Sequence, residues 1–246
     1  MNAIADNAFT RTLAKLGSRL PKPRAVLCVS AHWLTPGSRV TGMARPRTIH
    51  DFGGFPEALY EVRYPAPGSP ELADLVRETV GGGAVRVDHD EWGLDHGAWS
   101  VLRHLYPKAD VPVVQLGIDY VLPARRHFEL GEKLRPLREK GVLILGSGNI
   151  VHNLRRISID ENAAPEAWAV EFDAWAKERL ERRDFAPLLG DLAAAPSGTL
   201  AVPTPDHYDP LLYVLGASDA RDRLRFEYEG IQNGSISMRC FSLGAA

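Results

Sequence analysis

Apolar residues fall along the chain in two rhythms, and the rhythms divide it into elements. Near the start Ile4, Phe9, Leu13 and Leu16 recur at near-helical spacing, which predicts a helix over residues 5 to 19, ended by Pro21 and Pro23. The next segment, RAVLCVS at 24 to 30, is apolar without alternation, and VPVVQLGI at 111 to 118 and GVLILGSG at 141 to 148 read the same way. Continuous apolar runs of this length belong to strands buried on both faces, as in a parallel sheet. Helical patterns separate them: PELADLVRETV from Pro70, AWSVLRHLY from Ala98 and PARRHFELGEKLRPLREK from Pro123. Pro70 and Pro123 suit a first helical turn. A helix-rich stretch follows over 165 to 192, and PTPDHYDPLLYVLGA starts with turn residues and becomes a helix. LRFEYEG and SISMRCFSL read as closing strands.

Strands and helices alternating at this spacing predict an α/β fold with a mainly parallel central sheet flanked by helices. No linker, charge run, low-complexity stretch or internal repeat divides the 246 residues, so a single domain is expected. A formal net charge of -2 gives no reason to invoke nucleic acid or an anionic membrane as partner. No apolar run approaches the roughly 18 residues of a membrane span. The amphipathic N-terminus lacks the basic start, apolar core and cleavage site of a signal peptide. Cys28 and Cys240 sit in apolar runs and read as reduced core thiols of a cytoplasmic protein. No second Cys/His pair at zinc-finger spacing accompanies Cys28 and His32, which argues against a structural zinc.

In open α/β sheets chemistry gathers beyond the carboxyl ends of the strands. Of the eight histidines, His32 directly follows the first buried run, in SAHW. Imidazole there suits a divalent metal of borderline softness; the plainer alternative is a hydrogen-bonded histidine at a strand end. His152 follows another buried run, in GSGNIVHNLR, where the glycines let backbone approach closely. It is a candidate ligand or general base, against a capping or structural role, since a lone GSG also marks ordinary strand-to-helix turns. His207 is flanked by Asp206 and Asp209. Such a carboxylate can orient a metal-bound imidazole; alternatively Asp206 caps a helix and His207 is exposed. His96, between Asp95 and Gly97, could hydrogen-bond to an anionic substrate or to oxygen, or be incidental to a capped helix start. His50 and Asp51, in the loop TIHDFGGFP, are candidates for the pocket mouth and for substrate contact, against a purely packed loop. His89, His104 and His127 lie among charged residues and read as solvated.

The chain has no HExxH, GxSxG, GxxxxGK[ST] or post-strand GxGxxG. What remains is single histidines at the ends of different segments, a pattern that fits a mononuclear site built from distant parts of the chain.

Taken together, SAHW, IHDFGGFP, YPAPGSPELA, WGLDHGAWSVL, VPVVQLGID, LGSGNIVHNL and PTPDHYDPLLYVLGA resemble the DOPA 4,5-dioxygenase branch of the class III extradiol ring-cleavage dioxygenases. The motifs occur in the family's order over nearly the whole chain. The resemblance implies a non-haem Fe(II), with zinc a frequent occupant of the isolated protein. It implies His32 and His207 as metal ligands, the latter where the wider superfamily uses a glutamate. His152 matches the proposed base, close enough to join the metal shell, and His96 matches a second active-site histidine. The implied partners are a small aromatic diol and O2, and the implied product is a muconic semialdehyde from a protein that is a monomer or small homo-oligomer. Arg63 and Arg155 are candidate partners for a substrate carboxylate, or surface ion pairs. Family members begin with a strand and a His-Gly-Ser-Pro-Met stretch whose histidine is the first metal ligand. Met1 aligns with the end of that stretch, so the expectation is a chain lacking this strand and this ligand, with an incomplete metal site. Two other readings stand beside the dioxygenase: a non-enzymatic binding protein on the same fold, and a zinc-dependent hydrolase.

Overall fold

In the computed structural model, which describes residues 2–81 and 83–244, the three continuous apolar runs become neighbouring strands. Met1, to which the expectation of a missing first motif is tied, lies outside the described residues. The sheet contains β1 (Ala25–Thr35), β2 (Ser38–Thr41), β3 (Val85–Asp88), β4 (Val113–Asp119) and β5 (Val142–Ser147) in the order β3-β2-β4-β1-β5. β1 is parallel to both β4 and β5, and β2 is parallel to β3. The only antiparallel contact in this sheet among the described residues is Val40 opposite Leu116, between β2 and β4.

Alternation of side chains across a strand explains why these runs carry no polar face. Leu27 and Val29 of β1 enter one core, with Leu72 and Val76 of α3 (Pro70–Val80) and Leu130 and Leu134 of α5 (Ala124–Leu134). Val26 and Cys28 enter the other, with Leu16 of α1 (Ala8–Arg19) and Trp99, Leu102 and Leu105 of α4 (His96–Leu105). A third cluster gathers Phe172, Ala176 and Leu180 of α7 (Ala167–Arg182) with Leu212 and Leu215 of α9 (Asp209–Gly216). The short helices are α2 (Glu57–Tyr60), α6 (Pro136–Glu139) and α8 (Gly198–Ala201). The closing segments form two hairpin-like pairs: β6 (Arg223–Tyr228) with β9 (Cys240–Gly244), and β7 (Ile231–Gln232) with β8 (Ile236–Ser237).

Caps decide where the helices begin. The first helix starts at Ala8, later than its apolar spacing predicts, because Asn7 accepts from the Thr10 amide while the Thr10 hydroxyl accepts from Asn7 N–H. α4 starts earlier than expected, at His96, since the Asp95 carboxylate accepts from the Ala98 amide. The helical run from Pro123 splits into α5 and α6 at Pro136, which cannot continue the amide ladder. β2 and β3 were not foreseen: each has four residues, with Arg39 and Arg86 interrupting the apolar pattern.

β5 is an edge strand. Its outer side lines an apolar groove of about 230 Å³, walled by Leu13 and Leu16 of α1 and by Cys240 and Phe241 of β9, with His207 also in its lining. No helix among the described residues is long and apolar enough to cross a membrane.

Candidate metal centre

Four histidines meet in a row where the pairing of β1 with β5 ends. The pairing of β1 with β5 ends at Ser30 opposite Ser147, and its register with β4 shifts between Val29 and Leu34. His32 lies in that irregular stretch, inside β1 and not after it as the sequence suggested. Irregularities of this kind re-aim side chains at sites. The His32 ring lies 3.8 Å, centroid to centroid, from His96 and 5.0 Å from His207. His152 stacks on His207 at 3.4 Å, with the rings within 5° of parallel. No α-helix starts at His152; an isolated bridge to Ile236 and a single 3-10 turn at Leu154–Arg156 hold this segment.

The Gly-Ser-Gly turn positions His207. A Cβ on Gly148 would collide with the His207 carbonyl, so only glycine allows the approach. The next residue, Asn149, orients the ring. Its amide nitrogen donates to the Ser237 carbonyl at 2.8 Å, which fixes which end of the amide faces His207. Asn149 Oδ1 therefore accepts from His207 Nδ1 at 3.0 Å, and the second ring nitrogen, Nε2, is left without a proton. Neither sequence alternative holds: no flanking aspartate bonds this ring, and Asp206 does not cap the helix over an exposed His207. Asp206 is 4.0 Å from His207 Nε2, and Asp209 faces Nε2 of His127 at 3.5 Å. His127 is itself buried and bonded to the Tyr213 hydroxyl at 2.9 Å, contrary to the solvated position expected for it. His104 is also partly buried and reaches the Asn2 carbonyl, whereas His89 is exposed.

His96 stands at the first position of α4 and is held from the loop. Asp51 accepts from both the His96 amide and His96 Nδ1, each at 2.8 Å. His50, two residues past Thr48, has Nε2 3.0 Å from the Val62 carbonyl and packs among Phe52, Tyr60 and Trp99. Arg63 is bonded to the Tyr60 and Val62 carbonyls, and Arg155 is exposed. Of the residues named from sequence, the structure thus brings His32, His96, His152, His207 and Asp51 together and places His50 in the adjoining aromatic cluster. Asn149 was missed. Its place in GSGN was visible, but its partner 58 residues away was not.

Burial keeps three of these imidazoles, His207, His32 and His152, uncharged. It is the largest influence on His207, reinforced by His152, His32 and His96, and takes its pKa down to about 2. Burial and then His96 bring His32 down to about 4, against the opposing pull of Asp51. His152 is lowered by burial, with Asp206 pulling the other way. For Asp51, burial pushes the carboxyl up, but the bonds from His96 outweigh it and hold it below the usual range. Neutral imidazole is the ligand form of histidine. Two donor groups lie side by side, His32/Asp51/His96 and His152/Asp206/His207, each with its donor atoms within 4.8 Å of one another. The donor chemistry fits a divalent transition metal.

Residues 6–237 match the LigB family, described as the catalytic LigB subunit of aromatic ring-opening dioxygenase, and the chain belongs to that family. It is 48% identical to a 4,5-DOPA dioxygenase extradiol of Escherichia coli over 99% of this chain and 91% of that protein. A second relative, the 4,5-DOPA dioxygenase extradiol of Beta vulgaris, is 38% identical over 88% of this chain and 81% of its own length. Among solved structures, an uncharacterized protein from Escherichia coli K12 superposes with a TM-score of 0.86 at 43% identity, covering 98% of this chain and 94% of that one. Family and relatives support an extradiol dioxygenase, an enzyme of a kind that uses a non-haem metal.

Proposed function

We propose that this chain opens the ring of a small, DOPA-like catechol with O2, outside the two hydroxyls, to give a muconic semialdehyde. The observation that carries the reading is the row of four imidazoles beside the ends of β1 and β5, with the His207 proton fixed on Nδ1. His32 and His207 would hold a divalent metal, Fe(II) in the working enzyme, with His152 close enough to join them when no substrate is bound, and zinc can take the same donors. When bound, that metal supplies Lewis acidity toward two adjacent phenolic oxygens and a coordination position for dioxygen.

The chain's own residues supply the proton movements. His152 is neutral, and its ring makes no hydrogen bond to the described residues, so it is free to take a phenolic proton and return it as the ring opens. His207 is tied by Asn149 and is suited to holding, not to shuttling. The His96 ring lies beside that of His32. The names of the relatives support a DOPA-like diol as the substrate class.

Oxygen uptake by the Fe(II)-loaded protein tests the reading. A catechol should consume equimolar oxygen, its monophenol should consume none, and anaerobic mixing should give binding without product. Ester or amide hydrolysis without oxygen uptake would instead establish a hydrolase. Binding of a catechol at full metal occupancy with no turnover would establish a binding protein.

A further inference from the structure

We propose that Asp51 is a positioning residue that sets the tautomer of neutral His96, holding the ring proton on Nδ1 and leaving Nε2 bare beside His32. The geometry is two-pronged. Asp51 Oδ1 accepts the His96 backbone N–H at 2.8 Å, and Oδ2 accepts Nδ1 at 2.8 Å. One of these donors cannot be changed, because a backbone amide always carries its hydrogen. The other is a ring nitrogen, which carries a proton in only one of the two neutral tautomers. A carboxylate offers acceptors at both oxygens, so it is satisfied by both donors only when the proton is on Nδ1. The remaining nitrogen, Nε2, has no protein hydrogen bond among the described residues. In the neutral ring it is therefore an acceptor. Asp51 is itself held: its side chain is 13% exposed, and its next approach to a cation-forming group is 4.0 Å, to His32 Nδ1.

The same two-pronged grip gives Asp51→Asn an unusual meaning. An amide has one acceptor and one donor. Its oxygen must serve the His96 backbone N–H, since turning the NH2 toward it would set donor against donor. The NH2 then faces Nδ1, which becomes an acceptor, and the proton moves to Nε2. A near-isosteric change thus reverses the polarity of His96 toward the substrate. Within the ring-opening reading, on which only the catalytic consequence rests, this should lower kcat about 10²- to 10⁴-fold with little change in KM.

Three measurements test it. The first is ¹⁵N NMR of the ring nitrogens in the metal-free full chain, with His96 assigned through His96→Gln. Nδ1–H is expected in the parent protein and Nε2–H in Asp51→Asn, and this readout does not depend on turnover. The second is a double-mutant cycle on the Fe(II)-loaded protein. Asp51→Asn should cost activity when His96 is present and nothing further in a His96→Ala background, because a positioning residue acts only through its partner. Zinc content should be the same in Asp51→Asn as in the parent. An Nε2–H tautomer in the parent, an unchanged tautomer in Asp51→Asn, equal losses in both backgrounds, or loss of zinc would each overturn the assignment. If the tautomers behave as stated but no catechol is opened, the ring-opening reading fails and the role of Asp51 stands.

Discussion

His152 and His207 stack ring on ring at 3.4 Å, yet their surroundings fit them for different work. His207 has its Nδ1 proton committed to Asn149, whose own amide is committed to the Ser237 carbonyl. That chain of bonds fixes both the tautomer and the ring plane, as a metal ligand requires. His152 has no such anchor on its ring among the described residues and keeps a proton-transfer role open. His152→Ala should therefore lower turnover about 10²- to 10⁴-fold while most of the metal stays bound. His207→Ala should lose the metal. Elemental analysis beside steady-state kinetics separates the two, and equal metal loss in both variants would make His152 chiefly a ligand. Asn149→Ala should resemble a mild His207→Ala, because an unanchored ring binds metal about 10- to 100-fold more weakly.

Helix α9 follows His207 by two residues, so the site inherits its position from the way α9 seats on α5. Gly131, in the middle of α5, lies under the Tyr213 carbonyl of α9, and a Cβ there would collide with that backbone oxygen. Helix propensity favours alanine over glycine by about 1 kcal/mol. The contact should reverse that sign, since overpacking typically costs about 1–3 kcal/mol. Gly131→Ala is expected to lower the melting temperature and to weaken zinc binding together, as α9 shifts and carries His207 with it. A stabilised variant would show that the two helices separate easily. The sequence displayed these elements unevenly. β1, β4, β5 and α3 were legible because burial on both faces, or a clean helical face with a Ser69 cap, leaves a pattern within a few residues. β2 and β3 were not, since four-residue strands with a central arginine carry too little pattern. At the site, His32 and His152 were visible as residues following buried runs, and His96 and His207 as residues at helix starts. The pairings that give them their roles were not: Asp51 reaches His96 across 45 positions, and Asn149 reaches His207 across 58. Local periodicity holds no record of such pairings.

Burying uncharged imidazoles couples the stability of the whole fold to pH. In the unfolded chain a histidine takes up its proton near pH 6.5, whereas folded His207 does so only near 2 and His32 near 4. Below pH 6.5 the unfolded state therefore binds protons that the folded state refuses. The stability these residues contribute is complete above 6.5 and is lost progressively as pH falls toward their folded values. Each should remove about 1.4 kcal/mol per pH unit through that window. Asp209 works in the opposite sense. Burial, then Asp206, pushes its carboxyl up to about 7, so its contribution is greatest in acid and lost as pH rises. The curve of the parent protein is thus a compromise, and the difference between variants is what isolates one histidine. In the metal-free protein, His207→Gln should flatten the decline of unfolding free energy between pH 6.5 and 5 by about 1.4 kcal/mol per unit, read from urea unfolding at several pH values. Parallel curves for parent and variant would mean that folded His207 takes up its proton as readily as the unfolded residue does, so that burial does not keep it neutral. Zinc should deepen the same dependence, because protons and metal compete for the imidazoles, so the gain in melting temperature on adding zinc should shrink as pH falls.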